Sequence, residues 1–172
     1  MTTESISPIN SNIKQQWQFS GKFAIKTPTN KNSAKIHWSQ INDQYDINIY
    51  TIFGISIMSI TGNDTQVTID QRGEVYSGEN VQDLIYQLTR WHIPVDQLQH
   101  WVTGDVTNAY DIIYNDKGLF NTGNIVGRDN KVWQLTLSGY RDINDQTRPY
   151  RLLLKSEDAY FKLAINTWEI QK

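Results

Sequence analysis

The 172-residue sequence contains no cysteine, which excludes disulfides, thiolate metal sites, thiol nucleophiles and any lipidated cysteine within these residues. Histidine is scarce: His37, His92 and His100 cannot supply a typical zinc site without carboxylate help. There is no block of like charge either. Sixteen Lys and Arg stand against eighteen Asp and Glu, for a net charge of -2, whereas a dedicated nucleic-acid binder would show a basic stripe. Long hydrophobic runs are also missing. The longest near-apolar stretch, residues 50–60, is interrupted by Thr51, Gly54, Ser56 and Ser59 and falls far short of the ~20 residues of a membrane-spanning helix. The start, residues 2–10, is polar and lacks the basic and apolar regions of a signal peptide. The expectation is a cytosolic protein or one whose leader has been removed. No Gly-rich phosphate loop, nucleophile elbow or carboxylate pair stands out.

What is present is aromatic. Hydrophobic residues make up only 38%, yet aromatics reach 12% with six Trp, so apolar area is concentrated in a few large side chains. A chain of this length buries roughly 70% of its unfolded surface. One folded domain over 16–172 is expected, preceded by a polar N-terminal tail over 1–15.

The dominant period is two. Trp17, Phe19, Gly21, Phe23 and Ile25 alternate with polar residues such as Gln18, Ser20 and Lys22, as a half-buried strand requires. The pattern recurs at Ala34, Ile36 and Trp38, at Tyr45, Ile47 and Ile49, at residues 55–60, at Val67 and Ile69, and at Val75 and Tyr76. Short turn signals, among them Asn42-Asp43, Gly62-Asn63-Asp64 and Gln71-Arg72-Gly73, join these rows as hairpins. The period then changes. Val81, Leu84, Ile85 and Leu88 have helical spacing after Asn80 as N-cap, and Pro94 opens a second short helix that carries Val95, Leu98, Trp101 and Val102 and stops at Gly104. Alternation resumes at Tyr110, Ile112 and Tyr114, at residues 119–126, at Trp133, Leu135 and Leu137, at Leu152 and Leu154, and at Phe161, Leu163 and Ile165. About eleven antiparallel strands are too many for a flat open sheet, so a strongly curved sheet or a barrel is expected, with the two helices at 80–104 covering its concave face or plugging one end.

Several stretches, taken in order, resemble the LolB family of outer-membrane lipoprotein receptors of Gram-negative bacteria. The carriers run from Trp17-x-x-x-Gly21-Lys22-x-Ala24-Ile25 through Ser33-Ala34-x-Ile36-x-Trp38, Ile52-Phe53-Gly54 and Ile93-Pro94-Val95-x-x-Leu98-x-x-Trp101-Val102-x-Gly104. They continue with Trp133-x-Leu135-x-Leu137-x-Gly139-Tyr140, Pro149-x-x-Leu152-x-Leu154 and Phe161-Lys162-Leu163-x-Ile165-x-x-Trp168. The resemblance implies a mainly β fold with helices, an incomplete, unclosed antiparallel β-barrel under a helical lid. It also implies an apolar cavity that takes the acyl chains of lipoproteins from a LolA-type periplasmic carrier and releases them to the inner leaflet of the outer membrane. No cofactor and no covalent chemistry belong to that role, and the protein is expected to act as a monomer on the periplasmic face. Family members begin with a lipid-modified cysteine. This sequence starts at Met1 without one, and is read as the soluble mature domain. It also lacks the proline that the resemblance leads one to expect near Val106, so the connection from lid to sheet is expected to differ.

An acyl-chain receptor needs broad dispersion contact, since each buried CH2 contributes roughly 0.8 kcal/mol. Trp38, Trp101 and Trp133 lie on the apolar faces of a strand, a lid helix and a later strand, and are expected to converge on one interior. Phe23, Ile25, Ile36, Ile47, Ile49, Leu135, Leu137 and Ile165 share those rows, and ordinary core packing explains each of them as well. The loop at Ile52, Phe53 and Gly54 sets large apolar residues at a hairpin tip, either to enter a bilayer interface or to fold back over the barrel mouth. Two other readings stay open: a lipid-processing enzyme, which needs a nucleophile and base held together, and a generic barrel for small apolar ligands. The polar run with Asp142, Asp145 and Arg148 reads as solvated loop. Asn63-Asp64-Thr65 matches a glycosylation pattern that turn chemistry also explains.

Overall fold

Successive residues of a strand face opposite sides of a sheet, so each alternating row commits one face to the interior. The computed structural model, which describes residues 15–127 and 130–171, shows how these rows assemble. Six strands follow one another as hairpins: β1 (Gln16–Lys26), β2 (Lys31–Ile41), β3 (Gln44–Tyr50), β4 (Ser56–Gly62), β5 (Val67–Gln71) and β6 (Glu74–Gly78). Then come the helices α1 (Val81–Thr89) and α2 (Val95–Trp101). The second half holds β7 (Tyr110–Tyr114), β8 (Phe120–Val126), β9 (Val132–Ser138), β10 (Arg141–Ile143), β11 (Gln146–Arg148), β12 (Arg151–Lys155) and β13 (Tyr160–Ile170). Apart from Gln15, the expected polar tail lies outside the described residues.

Eleven strands form one antiparallel sheet in the order β6-β5-β4-β3-β2-β1-β13-β12-β9-β8-β7. The first and last strands of the chain pair along nearly their whole length, from Trp17 opposite Ile170 to Lys26 opposite Tyr160, and this joins the two hairpin halves. The edges β6 and β7 do not pair with each other, so the barrel is unclosed, and the chain that leaves one edge and returns to the other carries the two helices. Inward residues of the sheet and the apolar faces of both helices form one buried cluster. Asn80 caps α1 by accepting the Asp83 N–H at 3.0 Å, which satisfies one of the orphan donors of a helix start. Gly104, at φ 87°, ends the turn after α2 with its N–H on the Trp101 carbonyl at 2.9 Å.

Gly21 sits at an irregularity in the β1–β13 register. A Cβ there would lie 2.3 Å from the Ala164 carbonyl oxygen, so this close strand approach admits only glycine.

One expectation needs correction. The polar run after Gly139 is not wholly loop: β10 and β11 form a separate two-stranded hairpin, turning at Asn144 and Asp145, both with positive φ. Asp142 and Asp145 are exposed, but Arg148 is half-buried. Its Nε has no partner, and burial pushes its guanidinium pKa down. Alternation over three residues is too short to show as a period, and the long aliphatic stem of Arg is readily covered while its head stays polar.

Candidate ligand cavity and membrane loop

The interior divides along the strands. At the start of β1, Trp17 and Phe19 pack with Trp38 of β2 and Trp168 of β13, with ring centroids 5.2 to 6.0 Å apart. This aromatic cluster is solid: Trp38 is fully buried, its indole N–H donates to Gln40 Oε1 at 2.8 Å, and Trp168 donates to the Pro149 carbonyl at 3.1 Å. Six residues further along β1, roughly 20 Å at strand rise, Ile25 lines a cavity of about 210 Å³ between sheet and lid.

Its apolar wall comes from Ile25 on β1, Ile125 on β8, Trp133 on β9, Leu154 on β12 and Phe161 on β13, with Trp101 of α2 on the lid side. Lys26, Thr27, Gln82, His92, Gln97 and Tyr160 contribute the polar part of the lining. The Trp101 indole donates to Asn108 Oδ1 at 3.3 Å. Gln97 Oε1, by contrast, is buried without a hydrogen-bond partner. Val126 and Val132, register partners on β8 and β9, are both exposed, and Val126 lines the mouth.

Of the residues singled out from the sequence, Ile25, Trp101 and Trp133 meet around this cavity. Phe23, Ile36, Trp38, Ile47, Ile49, Leu135, Leu137 and Ile165 are placed in the packed core instead. Phe23 stacks on the lining residue Phe161 at 5.9 Å and lies edge-on to Trp91 at 5.9 Å. Alternation assigns a residue to a face of the sheet but says nothing about its position along the strand relative to the lid. The lining groups Gln82, Gln97, Leu154, Tyr160 and Phe161 were not singled out as cavity residues. Leu154 and Phe161 carried a signal as members of alternating apolar rows, and Gln97 through its spacing of four from Trp101 on one helix face; Gln82 and Tyr160 carried none.

The β3–β4 hairpin tip is a tight turn, with Thr51 N–H on the Ile55 carbonyl at 2.8 Å, Gly54 N–H on the Thr51 carbonyl at 2.9 Å, and Gly54 at φ 85°. Ile52, Phe53 and Ile55 are 54%, 87% and 62% exposed. The tip therefore points three large apolar side chains into solvent and does not fold back over the mouth.

The histidines lie apart. His37 Nδ1 is 2.8 Å from Ser20 Oγ, its register partner on β1, His92 stacks on Tyr86 at 4.4 Å, and His100 lies 3.9 Å from Asp105. Asn63 Oδ1 accepts the N–H groups of Thr65 at 2.9 Å and Gln66 at 3.0 Å, so the Asn63-Asp64-Thr65 pattern is occupied by turn chemistry. Among the described residues no helix is long and apolar enough to cross a membrane, and no group of three metal-ligating side chains occurs.

Similarity to known proteins agrees with this architecture. The solved structure of a LolA superfamily protein from Nitrosomonas europaea superposes with a TM-score of 0.61 over 91% of this chain and 86% of that one, at 7% identity. A putative outer membrane lipoprotein-sorting protein domain from Vibrio parahaemolyticus gives 0.58 over the same shares, at 6% identity. In sequence, the Outer-membrane lipoprotein LolB of Aeromonas hydrophila is 34% identical over 157 residues, 91% of this chain and 78% of that protein. The protein of the same name from Psychromonas ingrahamii is 32% identical over 160 residues, 91% and 77% of the two chains. Residues 15–168 match the family model described as Outer membrane lipoprotein LolB, and with an unclosed barrel, a two-helix lid and an apolar cavity beneath it, the chain belongs to the LolB family.

Proposed function

We propose that the protein is an outer-membrane lipoprotein receptor. It takes the acyl chains of lipoproteins from a LolA-type carrier into the cavity beneath α1 and α2, and releases them to the inner leaflet of the outer membrane. The observation that carries this reading is the partly open apolar cavity in which Trp101 of the lid faces Trp133 and Ile25 of the sheet. Such a site binds the hydrocarbon chain itself through contact area, at roughly 0.8 kcal/mol per buried CH2, an interaction that is non-directional along the length of the chain.

Its size adds a requirement. At about 210 Å³ the cavity is smaller than the roughly 300–1,000 Å³ of ordinary ligand pockets, so loading requires the lid to move away from the sheet. The gap between β6 and β7 leaves room for that motion, because the lid is carried on the chain that crosses it. The exposed Ile52-Phe53-Gly54 tip enters the bilayer interface at the moment of release.

The role needs no covalent chemistry, and the protein is read as a carrier rather than an enzyme. Ser20 and His37 do touch, but they lie on the outward face of β1 and β2, opposite the inward Phe19 and Trp38, and away from the cavity.

Transfer from a loaded carrier tests the reading. Trp133 is half-buried at the cavity, so Trp133→Glu is expected to lower lipoprotein acceptance about tenfold or more while changing thermal stability little. Parallel losses of acceptance and stability would remove the cavity from the mechanism. Ester hydrolysis of the cargo by the wild-type protein would favour the enzyme reading.

A further inference from the structure

We infer that Gln97 is a specificity element of the cavity, accepting a hydrogen bond from the amide N–H that joins a fatty acyl chain to the amino group of its cargo. The inference rests on the proposed acyl-binding role.

Among the described residues, three side-chain polar atoms are buried without a partner: Tyr45 Oη, Gln97 Oε1 and Arg148 Nε. Only Gln97 lines the cavity. Buried acceptors are normally satisfied, and one left open at the wall of a binding site is a position that a ligand donor fills. Of the other polar groups of the lining, Thr27 Oγ1 accepts the Asn30 N–H at 3.1 Å, and the His92 ring lies against Tyr86. Trp101, one helical turn from Gln97, has its indole N–H on Asn108, which leaves the Gln97 carbonyl without a neighbour to serve.

The chemistry then selects among acyl ligands. A hydrocarbon chain carries no donor, an ester carries none, and a fatty acid ionised at neutral pH carries none. A chain in amide linkage carries one N–H, fixed next to the acyl carbonyl at the point where the chain ends and the cargo begins. Gln97 stands among apolar wall residues and the polar groups of the lining, where that junction would rest. Ligands held only by esters would leave Oε1 unpaired.

The test compares N-dodecanoylglycine methyl ester with methyl dodecanoyloxyacetate, which differ in a single NH-to-O exchange, by calorimetric titration of the wild-type protein, Gln97→Leu and Gln97→Met. The wild type is expected to bind the amide about three- to tenfold more tightly, the effect of one hydrogen bond. Both variants, whose side chains fill similar space, are expected to bind the two probes alike and the ester at least as well as the wild type does. Equal binding of both probes by the wild type, or a preference retained in both variants, overturns the role of Gln97 while leaving the acyl cavity standing. Failure of the wild type to bind either probe overturns the cavity reading and this inference together.

Discussion

Gln40 on β2 donates its amide N–H to Gln99 Oε1 on α2 at 3.0 Å, and so ties the lid to the sheet through a side chain that is 3% exposed. The same amide donates to the Asn42 carbonyl at 2.8 Å and accepts the Trp38 indole N–H at 2.8 Å. All three of these bonds lie in or beside the core, where an unmade one is costly. Gln40→Leu leaves the Trp38 N–H buried and unpaired, a loss of roughly 1–3 kcal/mol, or about 3–10 °C in melting temperature for a chain of this size. Hydrogen exchange at the Val102 amide, bonded to the Leu98 carbonyl at 3.0 Å, should quicken as α2 loses its tie. An unchanged melting curve would show that Gln40 is not an anchor.

Phe53 is 87% exposed at the β3–β4 tip and does not line the cavity. Phe53→Glu is therefore expected to leave acceptance of cargo from a loaded carrier intact and to cut delivery to liposomes severalfold, since a carboxylate resists entry to the bilayer interface. Thermal stability should move by less than about 0.5 kcal/mol, as for other exposed positions. Delivery at the wild-type rate would remove the tip from the release step.

Tyr45 is buried with its hydroxyl unpartnered. Burial, helped by the negative charges of Asp96 and Asp64, pushes its pKa up to about 12. In the unfolded chain the phenol ionises near 10, so between about pH 10 and 12 the unfolded state loses a proton that the folded state keeps, and stability falls over that window. Tyr140, pushed up to about 12 by burial, adds to the same loss. Tyr45→Phe removes an unsatisfied polar group and is expected to raise stability at neutral pH by about 1 kcal/mol and to flatten the alkaline decline. Denaturant melts from pH 8 to 12 measure both, and an unaltered alkaline slope would count against the assignment.

Gly21→Ala places a methyl group 2.3 Å from the Ala164 carbonyl oxygen at the seam of β1 and β13. The strands must separate to admit it, at an expected cost of about 1–3 kcal/mol, as for other forced overpacking. A chemical-denaturation series against wild type would show this as a lower midpoint with an unchanged slope. A midpoint equal to wild type would mean that the strands part there without penalty.

Most strands of the main sheet were legible because they present apolar residues at period two, β6 and β8 showing only short apolar segments between turn signals, and both helices because Asn80 and Pro94 mark their starts. The β10–β11 hairpin was not legible, since Gln146-Thr147-Arg148 has no apolar residue to alternate. The cavity was legible only in part. Trp38 and Trp133 stand in similar rows, yet one closes a solid aromatic cluster and the other faces a void.

Alternation and helical spacing thus set which face of the central strands and of both helices turns inward, because that choice follows from local backbone geometry and the gain from burying apolar area; at the edge strand β7 the row fails, with Tyr110 and Tyr114 exposed. Where the interior is filled and where it stays hollow depends on how far each strand carries its side chains toward the lid. That distance is decided by the β1–β13 register and by the helices crossing the gap between β6 and β7, contacts between residues far apart in the chain that no local pattern encodes.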